Sequence, residues 1–338
     1  MPPEVIAMPS RGLVSIIIPC YNARQYLAET LESAFVQTYP SIEIIVVDDG
    51  STDGTAELIR SYGRRVMAEF GPNRGPSAAR NRGTALAGGA FIQYLDADDL
   101  LTRDAIERRV TVLKETDTDV AYSDWEKLVE AEPGVFAVHD RVTRRIEDVH
   151  ADLEIALITH FWAPPAALTY RRTLVDRIGG WKEWLPIIQD ARFLQDAGLV
   201  GGKFAYAPGI GARYRIHRGA SLSRRSSTAF VLDVFRNACD LQATFEARGR
   251  MNAEQCHALA QIYDYAARSL FFSDRAGFRD CVGRLYKLEP KFRPTWPKAA
   301  ELASSMIGFT AAGAVLAAFM WLRGLSCTKA TEPQTIRF

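Results

Sequence analysis

The sequence predicts an α/β protein, a mostly parallel sheet flanked by helices, with a helical C-terminal extension. Three observations carry that prediction. Strand and helix signals alternate through the first third of the chain. Two acidic turns directly follow apolar strand runs, and beyond Ser226 apolar residues recur at helical spacing.

Val14 to Ile18 is a continuous apolar run ending at Pro19, the pattern of a strand buried on both faces. Between Arg24 and Val36, residues Tyr26, Leu27, Leu31, Ala34 and Phe35 form a helical stripe. Glu43 to Val47 is the second strand and runs into Asp48-Asp49-Gly50-Ser51-Thr52-Asp53-Gly54, where Asp53 is placed to cap a helix through Arg60. Arg65 to Glu69 is the third strand, and Pro76 suits the first position of a helix reaching about Leu86. Phe91 to Leu95 is the fourth strand and breaks into Asp96-Ala97-Asp98-Asp99. Strand–helix–strand units of this size call for right-handed crossovers. In the resulting sheets, ligands gather at the carboxyl ends of the strands, where both acidic turns fall.

Further strands are expected at Val120–Ser123 and Phe204–Ala207. Phe230, Val231, Val234 and Phe235, then Leu259, Ile262, Tyr263 and Ala266, mark the helical part. The expected organisation is a tail over 1–12, an α/β domain over 13–225 and a helical extension over 226–300. A hydrophobic helix over 301–323 and a tail over 324–338 follow. From Leu302 to Leu322 no residue is charged, which is about the length that crosses a bilayer core. That segment reads either as a membrane helix or as one packed against protein; Ser304, Gly308 and Ala312 form a small-residue row on it.

The bulk composition, 48% apolar and 24% charged over 338 residues, is that of a globular protein. A net charge of +1 supplies no field for nucleic acid, so none is expected as a partner. Phosphates have to be held locally. Five scattered cysteines with no CxxC pair argue against a disulfide framework or a zinc site and fit a reducing compartment. Met1 to Gly12 has no apolar h-region, so no signal peptide is expected.

Asp96-x-Asp98 carries the chemistry. In an extended segment, side chains at i and i+2 point the same way, so both carboxylates can converge on one site. Such oxygens suit Mg²⁺ or Mn²⁺, whose shells are completed by diphosphate oxygens and water. Asp99 reads equally as the cap of a helix near Thr102.

Four ordered segments set that pair in context: Val14-Ser15-Ile16-Ile17-Ile18-Pro19-Cys20-Tyr21-Asn22, Val46-Val47-Asp48-Asp49-Gly50-Ser51-Thr52-Asp53-Gly54-Thr55, Asn73-Arg74-Gly75-Pro76-Ser77-Ala78-Ala79-Arg80-Asn81-Arg82-Gly83, and Leu95-Asp96-Ala97-Asp98-Asp99. Together they resemble the family 2 glycosyltransferases, enzymes of GT-A fold. The resemblance is dense from about Leu13 to Leu113, patchier to about Arg224, and absent beyond. It implies an inverting transfer of sugar from a nucleotide diphosphate, UDP favoured on family frequency alone, to an acceptor hydroxyl. A glycan or lipid-linked acceptor, surface polysaccharide or glycoconjugate synthesis, and a cytoplasmic setting at the membrane face follow by analogy.

The resemblance also implies roles for single residues. Asp49 matches the aspartate that binds the base or ribose, with Asp48 assisting it or bracing the turn. Pro19 and Tyr21 line the base pocket, unless Tyr21 is simply packed. Arg80 meets phosphate, or forms a surface ion pair. Gln189-Asp190 resembles the element whose aspartate is the catalytic base, so Asp190 is expected to take the acceptor proton, with Glu183 and Asp196 in reserve. Desolvation among apolar neighbours would raise its basicity; the alternative is a helix cap. Tyr214-Arg215-Ile216-His217-Arg218-Gly219-Ala220-Ser221-Leu222-Ser223 resembles a segment whose histidine binds metal or diphosphate, so Asp96, Asp98 and His217 are the expected metal ligands, with Arg215 or Arg218 adding charge. Trp162-Ala163-Pro164-Pro165 lines the acceptor pocket or belongs to the core.

No QxxRW element follows Asp190, which points to one sugar per encounter. A nucleotidyltransferase would carry a GxGxR-type loop after the first strand, and an ATPase a P-loop; neither is present. A non-catalytic, membrane-associated protein keeping the fold would have shed its acidic residues, whereas Asp49, Asp96, Asp98 and Asp190 all remain.

Overall fold

The computed structural model describes residues 10–217, 227–271 and 273–292. The apolar segment Leu302–Leu322 with its small-residue row, both expected tails apart from 10–12, and the stretch from Arg218 to Ser223 lie outside the described residues. Among the described residues no helix is long and apolar enough to cross a membrane.

The apolar runs become the centre of a parallel sheet. Strand β1 (Ser10–Cys20) lies between β2 (Ile42–Asp48) and β4 (Gly89–Tyr94), with β3 (Met67–Phe70) at the edge. All three of these pairings are parallel. Val14, Ile16, Ile17 and Ile18 are fully buried, as a two-sided parallel strand requires. The strand runs one residue beyond Pro19, further than expected. Ile17 turns its carbonyl to Leu95 on the β4 side, and by the period-two alternation Pro19 faces that same side, where pairing with β4 has ended. The missing N–H therefore breaks no bond.

Helices α1 (Leu27–Phe35), α2 (Thr55–Ser61) and α3 (Pro76–Leu86) fill the crossovers. The first begins three residues later than the stripe suggests, because Ala23 and Arg24 give their N–H groups to Thr55 Oγ1 (2.9 Å) and Asp53 (3.1 Å). Gly54, at φ 90°, takes the cap position of α2, while Asp53 still accepts from Thr55 N at 3.0 Å.

The second half departs from the mostly parallel expectation. After β5 (Leu100–Leu101) and α4 (Ala105–Thr116) come β6 (Val120–Glu132), β7 (Val135–Val142), α5 (Leu153–Thr159), β8 (Leu168–Arg171), α6 (Arg172–Ile178), α7 (Gln189–Leu199) and β9 (Phe204–Ile216). The order is β3-β2-β1-β4-β8-β6-β9-β5, with β7 on β6. β8 is antiparallel to both β4 and β6, β5 to β9, and β7 to β6, while β6 and β9 run parallel. The sheet is therefore mixed. β6 and β9 greatly outrun their expected lengths because their charges are neutralised across strands: Glu126, buried, accepts from Arg141 at 3.0 Å and Arg213 at 3.1 Å.

The chain divides into two compact units, Met1–Leu157 with Phe161–Ser221, and Ile158–His160 with Leu222–Phe338. In the second, α8 (Ser227–Ala247), α9 (Ala253–Leu270) and α10 (Arg275–Leu288) share a small core of Val231, Ala266, Ala267, Leu270, Phe278 and Cys281. Asn252 and Gln255 form a capping box at the start of α9.

One glycine sets how closely α3 lies on the sheet. A Cβ at Gly83 would sit 2.4 Å from Ile17 Cγ2 and 3.2 Å from Val47 Cγ2. Gly83→Val should therefore destabilise the protein by about 1–3 kcal/mol through overpacking. Urea denaturation checks this, and an unchanged midpoint would show that the helix can move away freely.

Candidate active site

The turn after β4 is pinned from three sides. Leu95 N donates to Ile17 O at 3.0 Å, Thr30 Oγ1 to Ala97 O at 2.9 Å, and Asp99 N to Asp96 O at 3.0 Å. From β9, Arg215 N donates to Asp99 Oδ1 at 2.9 Å and Arg215 Nη1 to Asp98 O at 3.0 Å. Arg215 also pairs with Glu29. It therefore fastens the acidic turn and does not face a ligand as free charge.

Asp99 does not cap a helix. The helix near Thr102 begins at Ala105, and Asp99, 1% exposed, ties the turn to β9. Burial, then the fields of Asp98 and Asp96, push its carboxyl well above the ordinary range.

Because Asp96 to Asp99 is a closed turn, the alternation of an extended segment does not apply, and the two carboxylates take different partners. Asp96 pairs with Arg80 on α3. Asp98 lies 2.8 Å from His217 Nε2, whose ring is flanked by Tyr26 at 4.6 Å and Phe136 at 5.4 Å. Among the described residues, no group of three or more His, Cys, Asp or Glu side chains is arranged around a point where a metal could sit. The expected set of Asp96, Asp98 and His217 is thus a pair, with Asp96 turned towards Arg80.

Arg80 is 3% exposed, so its ion pair is not a surface one. Its guanidinium carbon stands 4.4 Å from the centre of the Trp181 ring, and Nε and Nη1 have no hydrogen-bond partner. Two buried donors without acceptors suit an anion.

At the end of β2, Asp49 and Asp48 take different partners. Asp49 accepts from Arg74 N at 3.1 Å, Gly75 N at 2.7 Å and Arg82 Nη2 at 2.7 Å, so it is Asp49 that braces the loop. Asp48 Oδ1 is buried without a partner. Gly50, at φ 80°, permits this approach, since a Cβ there would lie 2.8 Å from Asn73 N. Tyr21 is 47% exposed beside half-buried Pro19, which leaves its ring face open.

Asp190 sits in the first turn of α7, whose cap position is Ile188. It is not the cap. Its Oδ2 accepts from Trp162 Nε1 at 3.0 Å. Burial raises its pKa; the Ala191 N–H and Arg80 oppose the rise, Asp96 adds to it, and the Trp162 bond opposes it. The reserve carboxylates are committed elsewhere: Glu183 to Arg74 at 3.4 Å and Asn81 at 3.2 Å, Asp196 to Arg192 at 2.8 Å and Lys182 at 3.6 Å.

Two groups, buried Cys20 and half-buried Tyr214, feel the fields of these carboxylates. The Tyr214 hydroxyl is driven up by burial and then by Asp99, Asp190, Asp96 and Asp98. The Cys20 thiol is driven up by burial and then by Asp48, Asp98, Asp96 and Asp53. Acidic residues from three chain segments, 48–53, 96–99 and Asp190, thus act on these two groups, the first two segments following the carboxyl ends of β2 and β4.

Asn81 was not singled out from the sequence. Its Nδ2 donates to Trp181 O at 3.0 Å and its Oδ1 accepts from Trp181 N at 2.8 Å, while Ser77 Oγ donates to Lys182 O at 3.1 Å. These bonds lock the loop before Asp190 onto α3. The only sequence signal was Asn81's place within the Asn73–Gly83 segment.

Residues 15–172 match the model of glycosyl transferase family 2. An uncharacterised glycosyltransferase of Rickettsia typhi is 32% identical over 180 residues, 53% of this chain and 56% of that protein. The glycosyltransferase GlyA of Streptococcus pneumoniae is 33% identical over 145 residues, 42% of this chain and 21% of that protein. The chain thus spans between 21% and 56% of these relatives' lengths. The structure is similar to that of Staphylococcus aureus TarS 1-349 in complex with UDP, with a TM-score of 0.59, 19% identity and 92% coverage of each chain. That likeness gives the fold: GT-A, with a mixed nine-stranded sheet.

Asn81→Ala would leave the Trp181 N–H and carbonyl without their partner. We expect a loss of about 1–3 kcal/mol in chemical denaturation, at unchanged m-value. Unchanged stability would show that other contacts hold the loop.

Proposed function

We propose that this chain, whose residues 15–172 form a glycosyl transferase family 2 domain, transfers a sugar from a nucleotide diphosphate donor to an acceptor hydroxyl with inversion at the anomeric carbon. The observation that carries this reading is the buried Arg80 guanidinium, paired with Asp96, acting on Asp190 and keeping two donors without acceptors.

Asp190 is the base. As the acceptor oxygen bonds to the anomeric carbon, its proton passes to the Asp190 carboxylate, and the bond from that carbon to the diphosphate breaks, leaving the electron pair on the diphosphate. Arg80 lies beside the charge that then develops, with two donors to offer. Asp48, Asp49, Pro19 and Tyr21 supply the nucleoside end, where an exposed ring can stack on a base. UDP is the favoured nucleotide, in keeping with UDP in the TarS structure.

Asp98 and His217 would hold a divalent cation, Mn²⁺ or Mg²⁺. Two cis ligands each about 2.1 Å from such an ion stand roughly 3 Å apart, close to the 2.8 Å between Asp98 Oδ2 and His217 Nε2. Diphosphate oxygens and water would complete such a shell, with Asp96 as the further carboxylate of the same turn. The ion would neutralise charge on the leaving diphosphate. A glycan or lipid-linked acceptor, surface polysaccharide or glycoconjugate synthesis, and a cytoplasmic membrane face complete the proposal, the last resting on the apolar segment Leu302–Leu322.

A thermal-shift panel of UDP-, GDP- and dTDP-sugars with and without Mn²⁺ should stabilise the protein with UDP-sugars most, and more so with metal. Asp98→Ala should abolish the metal-dependent part. Asp190→Asn should keep donor binding while kcat falls about 10²–10⁴-fold. The base works ionised and its pKa is raised by burial, so activity should disappear on acidification at a pH above the usual carboxylate range. Full turnover in Asp190→Asn would remove Asp190 as the base, and full activity in Asp98→Ala would remove the metal role; no response to any sugar nucleotide would leave a non-catalytic protein of this fold.

A further inference from the structure

Trp162 holds the base. We propose that it is a positioning residue for Asp190: its indole N–H fixes one carboxylate oxygen and leaves Oδ1 as the oxygen that takes the acceptor proton. The inference rests on Asp190 being the base.

The bond runs from Trp162 Nε1 to Asp190 Oδ2 at 3.0 Å. What makes it a positioning contact is how little freedom the indole has. Its ring meets Trp125 edge-on at 6.2 Å and Tyr214 at 5.7 Å. Ala163, Pro164 and Pro165 after it are buried, and two prolines restrict the backbone. The Pro165 carbonyl accepts from Gln93 Nε2 at 3.0 Å, and the Ala166 carbonyl from Arg109 Nη1 at 2.8 Å. Arg109 is fully buried and also donates to Gln93 Oε1 at 3.0 Å. Burial pulls its pKa down to about 9, which still leaves it cationic at neutral pH. A network in the middle of the sheet therefore fixes the loop, the loop fixes the indole, and the indole fixes the carboxylate. A base held in this way loses no orientational freedom when the acceptor arrives.

The same bond tunes the base. Facing Asp190 are Arg80 from α3, Asp96 from the turn after β4, Tyr170 from β8, Tyr214 from β9 and the Ala191 N–H of its own helix. Burial and Asp96 favour the neutral acid, whereas Arg80, the Ala191 N–H and the indole favour the carboxylate. Removing the indole N–H removes a stabiliser of the ionised form, so the pKa rises further. A group that acts ionised then loses activity at a higher pH.

Trp162→Phe keeps a ring and removes the donor. In a steady-state assay of the full chain, we expect kcat to fall roughly 10- to 100-fold while KM for the donor changes by less than about two-fold. The acid limb of the kcat profile should move to higher pH. A loss of kcat with the limb unmoved would reduce Trp162 to packing, and an unchanged kcat would also overturn the proposal. Asp190→Asn, assayed in parallel, separates the two ideas. If it stays active, Asp190 is not the base and the underlying reading fails. If it is inactive while Trp162→Phe behaves as wild type, only the positioning role fails. Should Trp162→Phe not fold, benzothienylalanine at the same position has nearly the shape of the indole without its N–H and gives the same readout.

Discussion

The buried pairing of Arg80 with Asp96 is the interaction on which the site depends. Carboxylates from separate segments are drawn together at the ends of parallel strands, and in a water-poor environment their mutual repulsion would favour protonation. Arg80 sits inside that group at 3% exposure, paired with Asp96 and acting on Asp190. Removing Asp96 would leave the buried guanidinium without a compensating charge. Its position follows from the fold. Helix α3 opens at Pro76, lies tight on β1 through Gly83, and stacks the guanidinium over Trp181, whose backbone is held by Asn81 of the same helix.

A second consequence of that helix is that Arg80 and Asp190, the groups proposed to serve donor and acceptor, share one frame. The loop bearing Trp181 and Glu183 is bonded to Ser77 and Asn81, and Asp190 follows a few residues later. Displacing α3 would shift the Arg80 guanidinium and the loop leading to Asp190 together. From the opposite side, β9 carries both Arg215, which grips the acidic turn, and Tyr214, which abuts Trp162. The mixed half of the sheet thus matters to the chemistry as much as the parallel half, since β9 reaches the turn only because its charges are paired with those of β6.

The parallel half was legible because its strands are buried on both faces and read as unbroken apolar runs, and because Pro76 and the acidic turns punctuate them. The far ends of β6 and β9 were not legible. Glu126 and Arg213 look like loop residues until each is seen to neutralise the other across strands. Within the site, residue types were readable but partnerships were not. Nothing local distinguishes Asp48 from Asp49, yet Asp49 is occupied by the loop at 74–75 and Asp48 keeps a buried oxygen without a partner. Asp99 likewise finds its partner, Arg215, far along the chain. Trp162 offered only an aromatic–proline pattern, and its bond to Asp190 is set by tertiary contacts that no spacing encodes.

Crystals grown with a UDP-sugar and Mn²⁺, and measured at the manganese edge, would locate both the ion and the donor. An anomalous peak is expected at coordination distance, about 2.2 Å, from Asp98 and His217, with diphosphate beside Arg80 and the anomeric carbon facing Asp190. A manganese ion bound elsewhere, or a donor whose reactive carbon lies remote from Asp190, would contradict that arrangement.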